Sequence, residues 1–479
     1  MAFFVLVSCV NEAEKTNKNE DTKSQTTEIK KPAEKEIIEQ EQAVVVEEDQ
    51  EQEPDDPVIE TITPKETQPV TEQAGFAVYK PKQSPGSNGW PLIIFLDPRG
   101  NGSLPVSLYK SLAEEYGFLL VASNKIVNGM PGREVIALFD ELFNTAKTDF
   151  PVNQKRMYLM GFSGGARLSL AFAEAYPEIK GMISCGAGIQ AGVKAPLPTF
   201  SYLSMGGNED FNMIEIINTD RLLKRQGFER AMVIFDGSHN WPPAPVAKEA
   251  FQWIELNAMK DKSKALDNAA IQRSKQWYLQ KINSLKDDKR IFDSYEVTER
   301  AIAVLDGLTD VGDLNVIAGD LKKDPAYLEQ LSDMVKTLQM EMGLQNKYMQ
   351  AFKNQDMEWW KAELKKLNDD EVSPSVLRMN KRLQAYLGIM AYMMSDKAVF
   401  EKDVDASAKY LEIYRLLEPT NPEHAYIEAK RKMMMNKQDE VLNYLQLAVI
   451  LGFDDKNRLF NEPAFIPLHD DPKFIDLLK

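Results

Sequence analysis

Cysteine is nearly absent from these 479 residues: only Cys9 and Cys185 occur, far apart in the chain. Two thiols at that separation exclude a disulfide framework and a multi-cysteine metal site. Histidine is also scarce, with His239, His424 and His469 the complete set, so chemistry that needs an imidazole base has few places to find one. Positive charge is in deficit, with 57 Lys and Arg against 73 Asp and Glu and a net charge of -16. Phosphate binding requires a basic surface, so no nucleic-acid partner is expected. No apolar run reaches the roughly 20 residues that cross a bilayer as a helix. Between Val10 and Ala74 aromatic residues are missing altogether, and 19 Asp and Glu face 7 Lys and Arg. That stretch holds -12 of the net charge. Such a segment buries too little apolar surface to offset its ordering entropy, so residues 10–74 are expected to be a disordered acidic tether. The foldable remainder is nearly neutral.

At the N-terminus, Leu6-Val7-Ser8-Cys9 closes a short apolar stretch. These four residues resemble a bacterial lipobox, where the chain is cut before the cysteine and the sulfur carries a diacylglycerol. The resemblance implies a signal over residues 1–9, lipidation at Cys9 and a lipid bilayer as partner. The expected location is then the bacterial cell envelope, with the protein facing the periplasm or the exterior. No Lys or Arg precedes the apolar stretch, which departs from the usual signal pattern.

The length allows about three domains. From residue 75 the pattern changes to strands alternating with helices. Phe76–Tyr79 reads as an edge strand. The apolar runs Leu92–Leu96, Phe118–Ala122, Met157–Met160, Gly181–Cys185, Phe200–Ser204 and Ala231–Phe235 read as strands buried on both faces. Helical spacing fills the gaps at 105–117, 133–150, 164–176, 212–226 and 244–258. This alternation predicts a mostly parallel, doubly wound α/β sheet over residues 75–260. Ligands then bind beyond the carboxyl ends of the strands.

Gly161-Phe-Ser-Gly-Gly165 lies between a strand and a helix, the setting a nucleophile elbow needs. The serine of such a turn takes a strained backbone, so its neighbours must be small. Ser163 is the candidate nucleophile, at a helix N-terminus whose Gly164 N–H suits a developing oxyanion. A serine hydroxyl needs a base, and His239 is the only histidine in this region. In chain order the acid precedes the histidine, which points to the loop Met205–Asn212. Asp210 is the expected acid, with Glu209 the alternative in the same loop. A second oxyanion donor is expected from the backbone N–H of Arg99 or Gly100. The Arg99 side chain would either bind a substrate carboxylate or brace its loop in a salt bridge. Cys185 lies in an apolar strand, where a thiol is usually inert.

Gly161-Phe-Ser-Gly-Gly-Ala-Arg167 and Ser238-His-Asn-Trp-Pro-Pro243 resemble the bacterial α/β-hydrolases of the dienelactone hydrolase and polyhydroxybutyrate-depolymerase-like esterase group. The likeness covers residues 88–258. It implies a carboxylic-ester hydrolase with a Ser163, Asp210, His239 triad, working through an acyl-enzyme without metal or organic cofactor. Relatives carry His-Gly where this chain has Arg99-Gly100. Only 14 or so residues join Gly186 to Phe200, too few for a cap domain, so an open site and a small-molecule or polymeric ester are expected.

Residues 261–479 are expected to be all helix, with breaks near 287–288, 310–312, 324–325, 369–370 and 419–422. Residues 403–452 resemble tetratricopeptide repeats: Leu411, Tyr414 and Pro419 fit the end of one repeat, and Ala425, Ala429, Leu445 and Ala448 fit the next. That likeness implies a protein partner on a concave face. Trp359-Trp360 and the Met390, Met393, Met394 cluster fit either a binding groove or plain core. Three functions fit the sequence: a tethered serine esterase, an envelope peptidase or thioesterase, and an inactive hydrolase-fold scaffold for the helical part.

Overall fold

The computed structural model describes residues 69–73, 75–194 and 196–479. Cys9, the lipobox and residues 10–68 of the expected tether lie outside the described residues.

Eight strands form one sheet in the order β1-β2-β4-β3-β5-β6-β7-β8. They are β1 (Thr71–Gln73), β2 (Phe76–Tyr79), β3 (Trp90–Leu96), β4 (Leu119–Ser123), β5 (Val152–Phe162), β6 (Ile179–Cys185), β7 (Ser201–Gly207) and β8 (Arg230–Phe235). The pairs β1/β2 and β2/β4 are antiparallel, and every pair from β4 onward is parallel. This is the α/β-hydrolase sheet. Helices α1 (Ser103–Tyr116), α2 (Gly132–Asp149), α3 (Gly164–Ala175) and α4 (Met213–Arg225) lie in crossovers between strands, and α5 (Ala244–Lys260) follows the last strand.

The strand side chains alternate between two cores. Ile93, Phe95, Leu120, Tyr158, Met160 and Leu203 pack toward α1 and α5, and Leu92, Ile94, Leu96, Val121 and Leu159 pack toward α2 and α3. Both sets are buried, which is why the central strands read as continuous apolar runs. Two expectations need correcting. Thr71–Gln73 is a strand, not the end of the tether, and it takes the sheet edge expected of Phe76–Tyr79, which lies between β1 and β4; three residues with no apolar alternation give no periodic signal, and pairing with β2 holds them. β5 begins at Val152, five residues before its apolar part, because the polar start pairs with Trp90 at a bulge in the β3 register.

Beyond residue 260 all described regular structure is helical. The helices are α6 (Asn268–Asp287), α7 (Ile291–Leu305), α8 (Gly312–Leu321), α9 (Pro325–Asn354), α10 (Met357–Leu367), α11 (Pro374–Phe400), α12 (Val404–Leu417), α13 (Pro422–Met434), α14 (Gln438–Ile450), α15 (Lys456–Asn461), a 3-10 turn Pro463–Leu468 and α16 (Pro472–Leu477). Their starts follow from capping. Asp267, Asp324, Asp356, Ser373, Asp403 and Asn421 each accept a backbone N–H of the first turn, and prolines open α9, α11 and α13.

The core does not stop where the strands do. Ile271, Tyr278 and Ile282 of α6, Val297, Ala301 and Val304 of α7 and Leu314 of α8 belong to the same apolar cluster as Phe251 and Ile254 of α5 and the inner sheet face. Buried charge ties the same helices: Glu249 of α5 accepts from Arg300 of α7 at 2.8 Å and from Lys281 of α6 at 2.7 Å. Helix α9 then spans to a second core. Its Leu338 packs with Met213 and Ile217 beside the β8 edge, while Tyr348 and Phe352 join Trp360, Leu383 and Tyr414. Trp360 is fully buried, with Trp359, Met390 and Met394 packed around that core. The core alternative therefore describes these side chains. Leu411, Tyr414, Ala425, Ala429, Leu445 and Ala448 are buried there too. Among the described residues no helix is long and apolar enough to cross a membrane.

Candidate active site

β5 ends in the elbow. Ser163 has φ 52° and ψ −118°, a left-handed backbone that a side-chain-bearing residue adopts only under strain. The surrounding packing requires glycine. A Cβ on Gly165 would lie 2.0 Å from the Leu96 carbonyl oxygen, and one on Gly161 would lie 2.4 Å from the Gly165 carbonyl oxygen. Strand, turn and helix α3 thus meet backbone to backbone, and the Ser163 N–H donates to the Cys185 carbonyl at 2.8 Å.

Three side chains from three strand ends converge. Ser163 Oγ lies 3.0 Å from His239 Nε2, and His239 Nδ1 lies 2.9 Å from Asp210 Oδ2. Asp210 is fully buried, and its second oxygen accepts the Asn212 N–H at 2.8 Å. With Asp210 on Nδ1, the proton sits on that nitrogen and Nε2 is free to accept from the serine. This arrangement can raise the nucleophilicity of a hydroxyl. Aromatic rings pack the imidazole from two sides, Phe162 at 4.7 Å and Phe211 at 4.3 Å between centroids. Glu209, the alternative acid, points away and pairs with Lys381 at 2.8 Å. Cys185 is fully buried, and burial pushes its thiol well above the usual value, consistent with an inert thiol.

The expected oxyanion donors are less simply arranged. Among the described residues no acceptor takes the Gly164 N–H, at the first turn of α3 beside Ser163. Arg99 and Gly100 are different. The Arg99 N–H donates to Asp97 Oδ1 at 2.9 Å, the Gly100 N–H donates to the Asp97 carbonyl at 3.2 Å, and the Asn101 N–H donates to Asp97 Oδ1 at 3.3 Å. Asp97 is buried, and its other oxygen accepts the Trp241 indole N–H at 2.9 Å. The loop therefore closes on its own aspartate. The Arg99 side chain is exposed, and among the described residues no carboxylate pairs with it to brace the loop.

Four contributors escaped the sequence reading. Gly186 (φ 64°) runs under the site: a Cβ there would come within 3.1 Å of both Asp210 Oδ2 and His239 Cε1. Asn212 donates to the Gly186 carbonyl at 2.8 Å. Asp97 and Trp241 make the loop contact just described. The one available signal was position, since Gly186 and Asp97 each directly follow a strand.

No family model matches the chain, and no curated protein matches it. Solved structures similar to it include a fluorophosphonate-binding serine hydrolase of Staphylococcus aureus, at 15% identity and TM-score 0.32, over 37% of this chain and 91% of that one. An S-formylglutathione hydrolase of the same organism is similar at 15% identity and TM-score 0.31, again over 37% and 91%. A hyperthermophilic esterase of Pyrobaculum calidifontis follows at 14% identity and TM-score 0.31, over 40% and 82%.

Proposed function

We propose that this chain is a serine hydrolase that cleaves carboxylic esters through an acyl-enzyme. Ser163 is the nucleophile, His239 the general base and Asp210 the residue that holds the imidazole tautomer. The reading rests on one observation: Ser163, His239 and Asp210 form a continuous hydrogen-bonded chain at a strained elbow. In the reaction, Nε2 takes the hydroxyl proton as Oγ adds to the ester carbonyl. The imidazolium then protonates the departing alkoxide, and a water activated by the same nitrogen releases the acid. The Gly164 N–H is the first oxyanion donor. Arg99 or Gly100 provides the second only if its loop lets go of Asp97 when substrate binds. The substrate is an accessible ester, small or polymeric. Thioesters and peptides are the alternatives within the same chemistry.

The test is covalent labelling of the purified protein with a fluorophosphonate probe. Labelling that Ser163→Ala abolishes is the expected result, and an unreactive native protein rejects the proposal. A specific observation favours a second reading, an inactive scaffold: the second oxyanion donor is spent on Asp97. The same experiment separates the two.

We also infer that Cys9 carries a lipid that holds the enzyme at a bacterial envelope membrane, on the strength of Leu6-Val7-Ser8-Cys9. Cys9→Ser is expected to release the protein from the membrane fraction, and unchanged partition rejects the anchor. The repeat-like spacing over 403–452 supports a protein partner on the helical part. A pulldown with the full chain that retains no envelope protein counts against it.

A further inference from the structure

The acid turn and the histidine turn are joined to each other. Asn208 donates its N–H to the Phe235 carbonyl at 2.8 Å and its side-chain amide to Asp236 at 2.6 Å, and the Glu209 N–H donates to the Gly237 carbonyl at 2.9 Å. What fixes the joined pair from outside comes from the helical region. Arg382 of α11 donates from Nη1 to the Asn208 carbonyl at 2.6 Å, two residues before Asp210. Its Nε and Nη2 donate to Glu341 Oε2 of α9 at 2.9 and 2.6 Å. The arginine side chain is 4% exposed and the glutamate 0%. Next to it, Lys381 pairs with Glu209 at 2.8 Å. At the start of α7, Arg290 pairs with Asp236 at 2.5 Å on the histidine turn.

A buried ion pair is a weak source of stability, because desolvation offsets most of its attraction. A guanidinium fork is instead a directional device, with its donors at fixed angles. Here the Nε–Nη2 edge of the fork is occupied by Glu341, and the third nitrogen, Nη1, is aimed at the turn that presents Asp210. Burial outweighs the pull of Arg382 and leaves the Glu341 carboxyl above its ordinary value, so the contact acts by geometry more than by charge. A shift of the turn by less than an ångström would break the 2.9 Å Asp210–His239 bond, and catalytic groups tolerate little misplacement.

We propose that Arg382, locked by Glu341 and assisted by Lys381, is a positioning residue that holds the Asn208–Asp210 turn so that Asp210 meets His239. This rests on the triad reading above. The helical region is then part of the working hydrolase, although it contributes no group to the reacting atoms.

The test uses the full chain with p-nitrophenyl acetate as substrate. Arg382→Met is expected to lower kcat at least tenfold with KM within twofold. An imidazole that has lost its carboxylate is easier to deprotonate, so the acid limb of the kcat/KM profile moves to lower pH. Arg382→Lys keeps a cation but not the fork and recovers only part of kcat. Met334→Ala, on α9 in the apolar cluster with Leu338, Met213 and Ile217, removes no hydrogen bond to the turn and serves as the stability control. If Arg382→Met and Met334→Ala lose equal thermal stability and equal kcat with unshifted pH profiles, the residue is merely structural and the proposal fails. Should the methionine variant not fold, Arg382→Lys gives the same reading, and native kcat and pH profile in it overturn the proposal. A native protein that neither hydrolyses the ester nor reacts with a fluorophosphonate rejects the triad reading itself, and this one with it.

Discussion

Asp210→Asn is the most searching single change, because the structure dictates which way the amide must face. One oxygen of Asp210 accepts the Asn212 N–H at 2.8 Å, and the other faces His239 Nδ1 at 2.9 Å. An asparagine must leave its carbonyl on the Asn212 N–H, since the reverse would oppose two donors inside a fully buried site. Its NH2 then faces Nδ1 and forces that nitrogen to accept. The imidazole proton moves to Nε2, which points at Ser163 Oγ and can no longer take its proton. Nothing moves, yet the base is in the wrong tautomer. A comparable tautomer error lowers kcat by roughly 10⁴ in a serine protease, and about 10³ to 10⁴ is expected here, or about 4 to 5.5 kcal/mol of barrier. The assay is the second-order rate of fluorophosphonate labelling, with p-nitrophenyl acetate turnover alongside. Thermal stability should change little, because the shape is conserved. A variant within tenfold of the native rate would refute the reasoning, whatever its stability, and would point to another residue as the orienting group.

Three further outcomes are expected. Gly165→Ala places a methyl group 2.0 Å from the Leu96 carbonyl and must push α3 off β3; soluble yield and melting temperature should both drop sharply, and a native-like melt contradicts the packing described. Trp241→Phe leaves one buried Asp97 oxygen without its donor; a loss of about 1–3 kcal/mol in urea unfolding is expected, beyond the volume change, and a loss under 0.5 kcal/mol would mean the bond is replaced by water. Burial alone would raise the Glu249 carboxyl, but Arg300 and Lys281 outweigh it and bring it down to about 2 from an ordinary 4.5. The folded value is the lower one, so the stabilisation is present above about pH 4.5 and is lost as pH falls toward 2. It is worth about 3 kcal/mol at 1.36 kcal/mol per unit. Urea midpoints between pH 6 and pH 3 should fall more steeply in the native protein than in Glu249→Gln, and parallel curves would disprove the linkage.

The legible parts of the molecule were those governed by local pattern. Strands β3, β4, β6, β7 and β8 are apolar on both faces, so their runs stood out; Ser163 directly follows β5, and Asp210 and His239 lie in the loops after β7 and β8. Five helix breaks were legible because Asp, Gly and Pro mark them, while those at 355–356, 401–403, 435–437 and 451–455 were not. What stayed hidden depended on distant partners. β1 exists because β2 offers an edge. The Arg99 and Gly100 donors are turned inward by an aspartate side chain whose own anchor, Trp241, lies 144 residues away. Lys381 and Arg382 reach the acid turn across 172 and 174 residues, and no spacing rule links a helix surface to a loop that far upstream.

The core shared across residue 260 bears on how such a protein can be inherited. A chain severed there would bare Phe251, Ile254 and the apolar face that Tyr278 and Val304 cover. It would also take both cations from Glu249. Recombination that exchanged the helical half for another sequence would meet the same barrier unless it carried α6 and α7 along. The boundary between the two cores therefore lies along α9, which passes from one to the other, and not at the point where strands give way to helices; an exchange even there would give up the Arg382 contact with the Asn208 carbonyl.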